Sequence, residues 1–138
     1  MTKVNPIRDG FHSVTPYLIV DGADRLIDFM KRAFGAEEVS RSMAPDGRVM
    51  NVAVRIGDSM VEVGEPRDPW KPMPAAVHLY LSDADAAYER ALEAGATSLY
   101  EPADMPYGER GGGVEDPCGN YWFPSTYTGR VRDDAGPA

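Results

Sequence analysis

The chain has 138 residues, of which 43% are hydrophobic, enough to build one compact domain or two small halves that share a surface. The formal net charge of −8 argues against a nucleic-acid partner, because phosphate binding requires clustered lysines and arginines. Its apolar runs are far shorter than the roughly 20 residues of a membrane span, its N-terminus lacks the apolar segment of a signal peptide, and its single cysteine excludes an internal disulfide. We therefore expect a cytoplasmic protein with a small-molecule ligand and neither a membrane nor a nucleic-acid partner.

The first half of the chain is predicted to form a strand, a helix and three further strands. Asp21 and Asp24 precede an apolar helical stripe, which ends at Gly35, a residue suited to the left-handed conformation found after helices. Turn signatures at 44–47 and 57–58 separate strands predicted near residues 37–43, 48–56 and 59–64.

The second half repeats this order after a proline-rich segment. Ser82 and Asp83 are predicted to open the second helix and Gly95 to end it, with strands near residues 97–101, 110–115 and 120–127. The run of three glycines at 111–113 is interpreted as a mobile loop at the edge of a cleft, because no helix or lysine follows it as in phosphate-binding loops. The repeat predicts an α+β fold built from two βαβββ modules.

These signals divide the chain into five segments. We assign an N-terminal arm to residues 1–12, the first module to residues 13–64, an extended linker to residues 65–75, the second module to residues 76–128 and a polar tail to residues 129–138.

Four motifs resemble those of a known superfamily, namely TPYLIV at 15–20, RAFGA at 32–36, DADAAY at 83–88 and DPCGNYW at 116–122. Over residues 13–128 the chain resembles the vicinal oxygen chelate superfamily of glyoxalases, bleomycin-resistance proteins and extradiol dioxygenases, and within it the PhnB-like branch. The resemblance implies that the two modules form curled mixed sheets around a cleft. It also implies a homodimer, in which the modules pair within one chain or across chains.

Alternation of side chains along strands predicts which residues face this cleft. The valines of the two strands around the turn at 57–58 share one face, which is predicted to lie against the helices. Arg55 and Glu62 are thus predicted on the opposite face. In the second module, His78 and Tyr80 are assigned to the cleft in the same way. The predicted substrate-binding residues are Thr15, Tyr17, Arg55, Glu62, His78, Tyr80, Tyr121 and Phe123.

The metal-dependent members of the superfamily hold a divalent cation with four cleft-facing ligands. The resemblance places those four positions at Thr15, Glu62, Ala76 and Phe123, and only Glu62 is a suitable ligand. Because a catalytic metal normally needs at least three protein ligands, we expect no metal and no other cofactor. A weak site in which His78 joins Glu62 as a second ligand stays open as an alternative.

Two functions stay open at this point. In the first, the cleft binds a small, partly aromatic molecule without a metal, and Glu62 with the acidic chain favours a cationic one. In the second, the chain is a small lyase, isomerase or oxygenase-like enzyme with Glu62 and His78 as candidate catalytic residues, with or without a divalent metal. Purely structural roles compete with both, since Glu62 and His78 can form a hydrogen-bonded pair and the aromatic rings can fill a closed interior.

Overall fold

A computed structural model describes residues 4–131, and these residues form two βαβββ modules. The first module contains β1 (Tyr17–Ile19), α1 (Ala23–Phe34), β2 (Glu37–Met43), β3 (Val49–Ile56) and β4 (Ser59–Gly64). The second contains β5 (Ala76–Tyr80), α2 (Ala84–Glu93), β6 (Thr97–Met105), β7 (Tyr107–Glu115) and β8 (Tyr121–Val131). The predicted α+β class and the two-module architecture are confirmed.

Each module folds its four strands into a separate mixed sheet with the same topology. The strand orders are β1-β4-β3-β2 and β5-β8-β7-β6. In both sheets the first strand pairs in parallel with the last strand of its module, and the remaining neighbours are antiparallel. The parallel register sets Tyr17 beside Glu62 in the first sheet and His78 beside Phe123 in the second.

Helix ends follow the local sequence. Gly35 adopts φ 68° after α1, and its N–H donates to the carbonyl oxygen of Lys31. Asp83 caps α2 by accepting a hydrogen bond from the N–H of Ala86 at 3.0 Å. Within residues 4–131, neither helix combines the length and the apolar character that crossing a membrane would require.

The two modules pack through their helix sides. α1 lies against β3 and β4, α2 lies against β6, β7 and β8, and the helices also contact each other. One continuous core spans both modules, with the Phe34 ring centroid 5.0 Å from that of the Trp122 side chain. Arg90 reinforces this packing by donating from Nε to the carbonyl oxygen of Ala33 at 3.1 Å. The face of each sheet that points away from the helices, here called its outer face, therefore remains outside the core.

Some elements differ from the sequence prediction. The glycines at 111–113 lie inside β7, which pairs with β6 on one side and β8 on the other, so the predicted mobile loop is wrong. The strand predicted at 120–127 continues to Val131, so the first residues of the predicted polar tail belong to β8. Residues 132–138 of that tail and residues 1–3 of the arm lie outside the described residues.

Trp122 offers a test of the shared core. Its side chain is fully buried, and its indole nitrogen donates to Oδ2 of Asp116 at 2.7 Å. Replacement by phenylalanine removes this hydrogen bond to a charged group, so Trp122→Phe should lower the free energy of unfolding by about 2–3 kcal/mol. Urea denaturation followed by circular dichroism measures the loss.

The matched control is Trp70→Phe, because the Trp70 side chain is half exposed in the linker. A surface substitution of this kind should change the free energy of unfolding by less than about 0.5 kcal/mol. Equal losses in both variants would contradict the role assigned to Trp122.

Candidate functional site

The outer face of the second sheet carries a concentration of aromatic side chains, five of them exposed. They are Tyr80, Tyr100, Tyr107, Tyr121 and Tyr127, together with half-buried Phe123. We call these six residues the tyrosine face. The rings of Tyr100 and Phe123 lie 22° from parallel with centroids 6.3 Å apart, and the ring of Tyr80 lies 4.7 Å from the imidazole of His78.

A buried carboxylate lies on this face beside His78. Nε2 of His78 lies 3.0 Å from Oε2 of Glu109 and 3.1 Å from Oγ of Ser125. Because Ser125 donates its own proton to the carbonyl oxygen of Phe123 at 3.0 Å, both Ser125 and Glu109 accept from the imidazole. The proton of His78 therefore resides on Nε2. A serine-nucleophile triad is excluded, since that arrangement needs the hydroxyl and the carboxylate on different ring nitrogens.

Glycines in β7 clear the space that this cluster occupies. A Cβ atom at Gly113 would lie 2.6 Å from Cε1 of Tyr100, and one at Gly111 would lie 2.6 Å from Oγ of Ser125. Both distances are far below van der Waals contact. The glycine run therefore allows Tyr100 to lie flat over β7 and allows Ser125 to approach the strand.

The charged side chains at outward positions of the described strands of this face are acidic. Glu109 and Glu115 occupy outward positions in β7, opposite Tyr127 and Tyr121 of β8. Arg110, between them, turns to the helix side, where its guanidinium donates two 2.8 Å hydrogen bonds to Asp85 of α2. In the described strands β5 to β8, no lysine or arginine stands at an outward position in register with these residues.

The same environment raises the pKa of two tyrosine side chains. Burial raises the pKa of Tyr100, and the neighbouring hydroxyl of Tyr107 and carboxylate of Glu109 raise it further. Burial likewise raises the pKa of Tyr107, with Glu109 and Tyr80 adding to the effect. Both hydroxyl groups therefore keep their protons and remain hydrogen-bond donors at neutral pH.

Polar groups on the outer face of the first sheet are bound within their own module. Oε1 of Glu62 accepts a hydrogen bond from Nδ2 of Asn51 at 2.7 Å. The hydroxyl of Tyr17 donates to the carbonyl oxygen of Met50 at 3.0 Å, and Arg55 pairs with Glu37 at 2.7 Å.

Residues of the N-terminal arm cover part of this first face. Arg8 donates from Nη2 to Oγ of Ser40 at 3.1 Å, and Ser40 lies in one cross-strand row with Ala53 and Glu62. Gly10 lies against the end of the Met60 side chain. This cover explains why Ala53 and Met60, which alternation assigns to an open cleft, are buried.

The comparison with known proteins identifies the family. The model of the Glyoxalase/Bleomycin resistance protein/Dioxygenase superfamily matches residues 10–123. The chain belongs to this superfamily. Uncharacterized proteins of Mycobacterium bovis and Mycobacterium tuberculosis are 36% identical to it over 121 residues, which span 80% of this chain and 80% and 71% of theirs.

Solved structures agree with this assignment. A superfamily member from Sphaerobacter thermophilus is 26% identical with a TM-score of 0.63, and the match covers 83% of this chain and 98% of that one. A gene product of Arabidopsis thaliana is also 26% identical, with a TM-score of 0.68 and the same two coverages. TioX from Micromonospora sp. ML1, at 24% identity and a TM-score of 0.67 over 83% of this chain and 99% of that one, shares the fold.

The residues at the superfamily's metal-binding positions do not fit a metal ion in this chain. Ala76 and Phe123 offer no side-chain donor atom, so only Thr15 and Glu62 remain, and Oε1 of Glu62 already accepts a hydrogen bond from Asn51. Among residues 4–131, no three histidine, cysteine, aspartate or glutamate side chains cluster in a way that could hold an ion. These four positions therefore do not supply the three protein ligands that a catalytic metal normally needs.

Most predicted site residues divide between two surfaces, although Thr15 and His78 also line one cavity between the modules. His78, Tyr80, Tyr121 and Phe123 share the outer face of the second sheet, whereas Thr15, Tyr17, Arg55 and Glu62 belong to the first module. Glu62 and His78, expected to pair with each other, instead hydrogen-bond separate partners, Asn51 and Glu109. Glu109 was missed because the strand was predicted to begin at Arg110. Its alternation with Gly111 and Gly113 was the available signal.

The glycine-cleared space can be tested with Gly113→Ala. The added methyl group collides with the Tyr100 ring, so this variant should displace the ring and lower the free energy of unfolding by about 1–3 kcal/mol. Thermal and urea denaturation measure the loss.

A double-mutant cycle supplies the control. In a Tyr100→Ala background the collision partner is gone, so Gly113→Ala should cost clearly less than in the unaltered chain. An identical cost in both backgrounds would show that Tyr100 does not depend on the glycine.

Proposed function

We propose that this chain is a PhnB-like member of the superfamily that binds a small, partly aromatic molecule on the tyrosine face without a metal ion. The observation that carries the proposal is the exposure of these rings, 59% for Tyr80 and 68% for Tyr127, around the half-buried His78 and Glu109 cluster. Aromatic rings with polar groups among them are typical of sites for planar ligands. The proposed ligand stacks on the rings, and the cluster orients it.

A second copy of the chain is proposed to complete this site. Helix packing between the modules leaves the tyrosine face open, and contiguous exposed apolar surface of this kind marks an interaction site. The duplicated modules give a partner the same two outer faces, so a twofold dimer can set the first sheet of one chain over the second sheet of the other. Thr15, Tyr17, Arg55 and Glu62 of one copy would then line the far wall of the cleft. The proposed location is the cytoplasm.

One observation favours a second candidate function. In the neutral ring with its proton on Nε2, Nδ1 of His78 bears the lone pair, and it has no hydrogen-bond partner among residues 4–131. A lone pair on a ring held by a carboxylate is the arrangement of a general base. In a lyase or isomerase, His78 would accept the proton and Glu109, in place of Glu62, would orient the ring.

The binding proposal predicts that Tyr80→Ala and Tyr121→Ala each weaken binding of 1-naphthol about 2- to 13-fold, the effect of one lost aromatic contact. Calorimetry in the presence of a chelator of divalent ions measures the affinity.

Trp70→Ala is the control, because Trp70 is an exposed aromatic residue of the linker and belongs to neither sheet. Unchanged affinity in both tyrosine variants would refute the proposed location. Binding that appears only after a divalent ion is added would refute its metal independence.

The dimer proposal predicts that light scattering gives twice the chain mass of 15.1 kDa. Tyr127→Glu places a charge on the proposed contact and should shift the protein toward monomer, whereas Trp70→Glu should not. A monomer at all concentrations up to about 100 µM would exclude an interface of the size that stable dimers use.

A further inference from the structure

We infer that the ligand class of the tyrosine face is an aromatic ammonium ion and that Glu109 is its counter-charge. This inference rests on the function proposed above and narrows it to one chemistry. Three features support it, namely the carboxylate of Glu109, the charged residues around that carboxylate and the aromatic rings of the tyrosine face.

The carboxylate of Glu109 has one oxygen available for a ligand. Oε2 accepts the hydrogen bond from His78, but Oε1 has no hydrogen-bond partner among residues 4–131. The side chain is only 9% exposed. No fully buried polar side-chain atom of the described residues lacks a partner, so Oε1 must retain access to the surface. A carboxylate so largely removed from water gains most from a positive partner.

Among the described residues of this face no lysine or arginine supplies that partner, and Arg55, which the proposed dimer sets opposite, is already paired with Glu37. On the described outer positions of β5 to β8 the only formal charges near Glu109 are carboxylates, with Glu115 further along the same strand. Arg110, the adjacent cation, is turned away and held by Asp85. An anionic ligand would therefore meet like charge, and a neutral ligand would offer Oε1 at most an uncharged hydrogen-bond donor. A cationic ligand complements the face.

The rings supply the second half of the recognition. A cation over the face of a tyrosine is attracted by the ring quadrupole, and more strongly where water is displaced. Tyr100 and Tyr107, whose raised pKa values keep their hydroxyl groups neutral, lie close enough to Glu109 to sense its charge. An ammonium group at Oε1 would therefore lie among ring faces, and the aromatic part of the ligand would stack on the remaining tyrosines.

A pair of probes with matched shape tests the inference on the unaltered chain. The 3-hydroxyphenyltrimethylammonium ion and 3-tert-butylphenol differ by one positive charge and hardly in volume. The cation should bind about tenfold more tightly or better in calorimetry, as expected for desolvated cation–π contacts plus an ion pair.

Variants then assign the preference to one residue. Glu109→Gln keeps the shape of the side chain and removes the ion pair, so it should weaken binding of the cation several-fold and leave only the smaller preference that the cation–π contacts supply, while the affinity for 3-tert-butylphenol stays unchanged. Glu89→Gln, an exposed glutamate of α2, removes the same charge elsewhere and should leave both affinities unaltered. Circular dichroism confirms that both variants fold.

The outcomes separate the two proposals. Equal binding of both probes to the unaltered chain overturns the cation inference and leaves the proposed aromatic site standing, and this comparison holds even if Glu109→Gln fails to fold. A cation preference that is undiminished in a folded Glu109→Gln protein overturns the role of Glu109. Failure of both probes and of 1-naphthol to bind overturns the inference together with the proposed function.

Discussion

The packing of α1 against α2 is the constraint on which the rest of this structure depends. Because both helices lie within one core, each sheet must turn its helix-facing side inward and its other side outward. Trp122 and Phe34 join the two modules at this core. The candidate site is therefore a surface that the packing within one chain leaves open, and not a cavity enclosed by that chain. The aromatic rings on this surface remain exposed.

The tyrosine face depends in turn on the absence of side chains in β7. Gly111 and Gly113 stand in the middle of a sheet, where glycine stabilises a strand poorly because it has no side chain to pack. Here the missing side chains allow Tyr100 to cover the strand and Ser125 to reach His78. A local cost in strand stability is thus offset by the close approach of the groups that form the site.

The sequence predicts the fold well because the repeat, the caps and the turns are local signals. The site is less predictable, since which groups meet depends on strand register. Alternation placed Glu62 and His78 on the side of their strands away from the helices, but it could not show that they lie on the outer faces of two different sheets. Glu109 escaped notice because the strand was predicted to begin at Arg110, which left Glu109 outside the alternation that it shares with Gly111 and Gly113.

The two modules share a topology but differ in what covers their outer faces. On the first sheet, Arg8 and Gly10 of the arm contact Ser40 and Met60, and the polar side chains are paired within the module. On the second sheet, Glu109 keeps an oxygen without a protein partner among residues 4–131, and the rings stay exposed. The duplication gives two sheets of the same topology. The proposed ligand-binding site lies on the second sheet, whose outer face the N-terminal arm leaves uncovered. In a twofold dimer the covered face of one copy would serve as the wall for the uncovered face of the other.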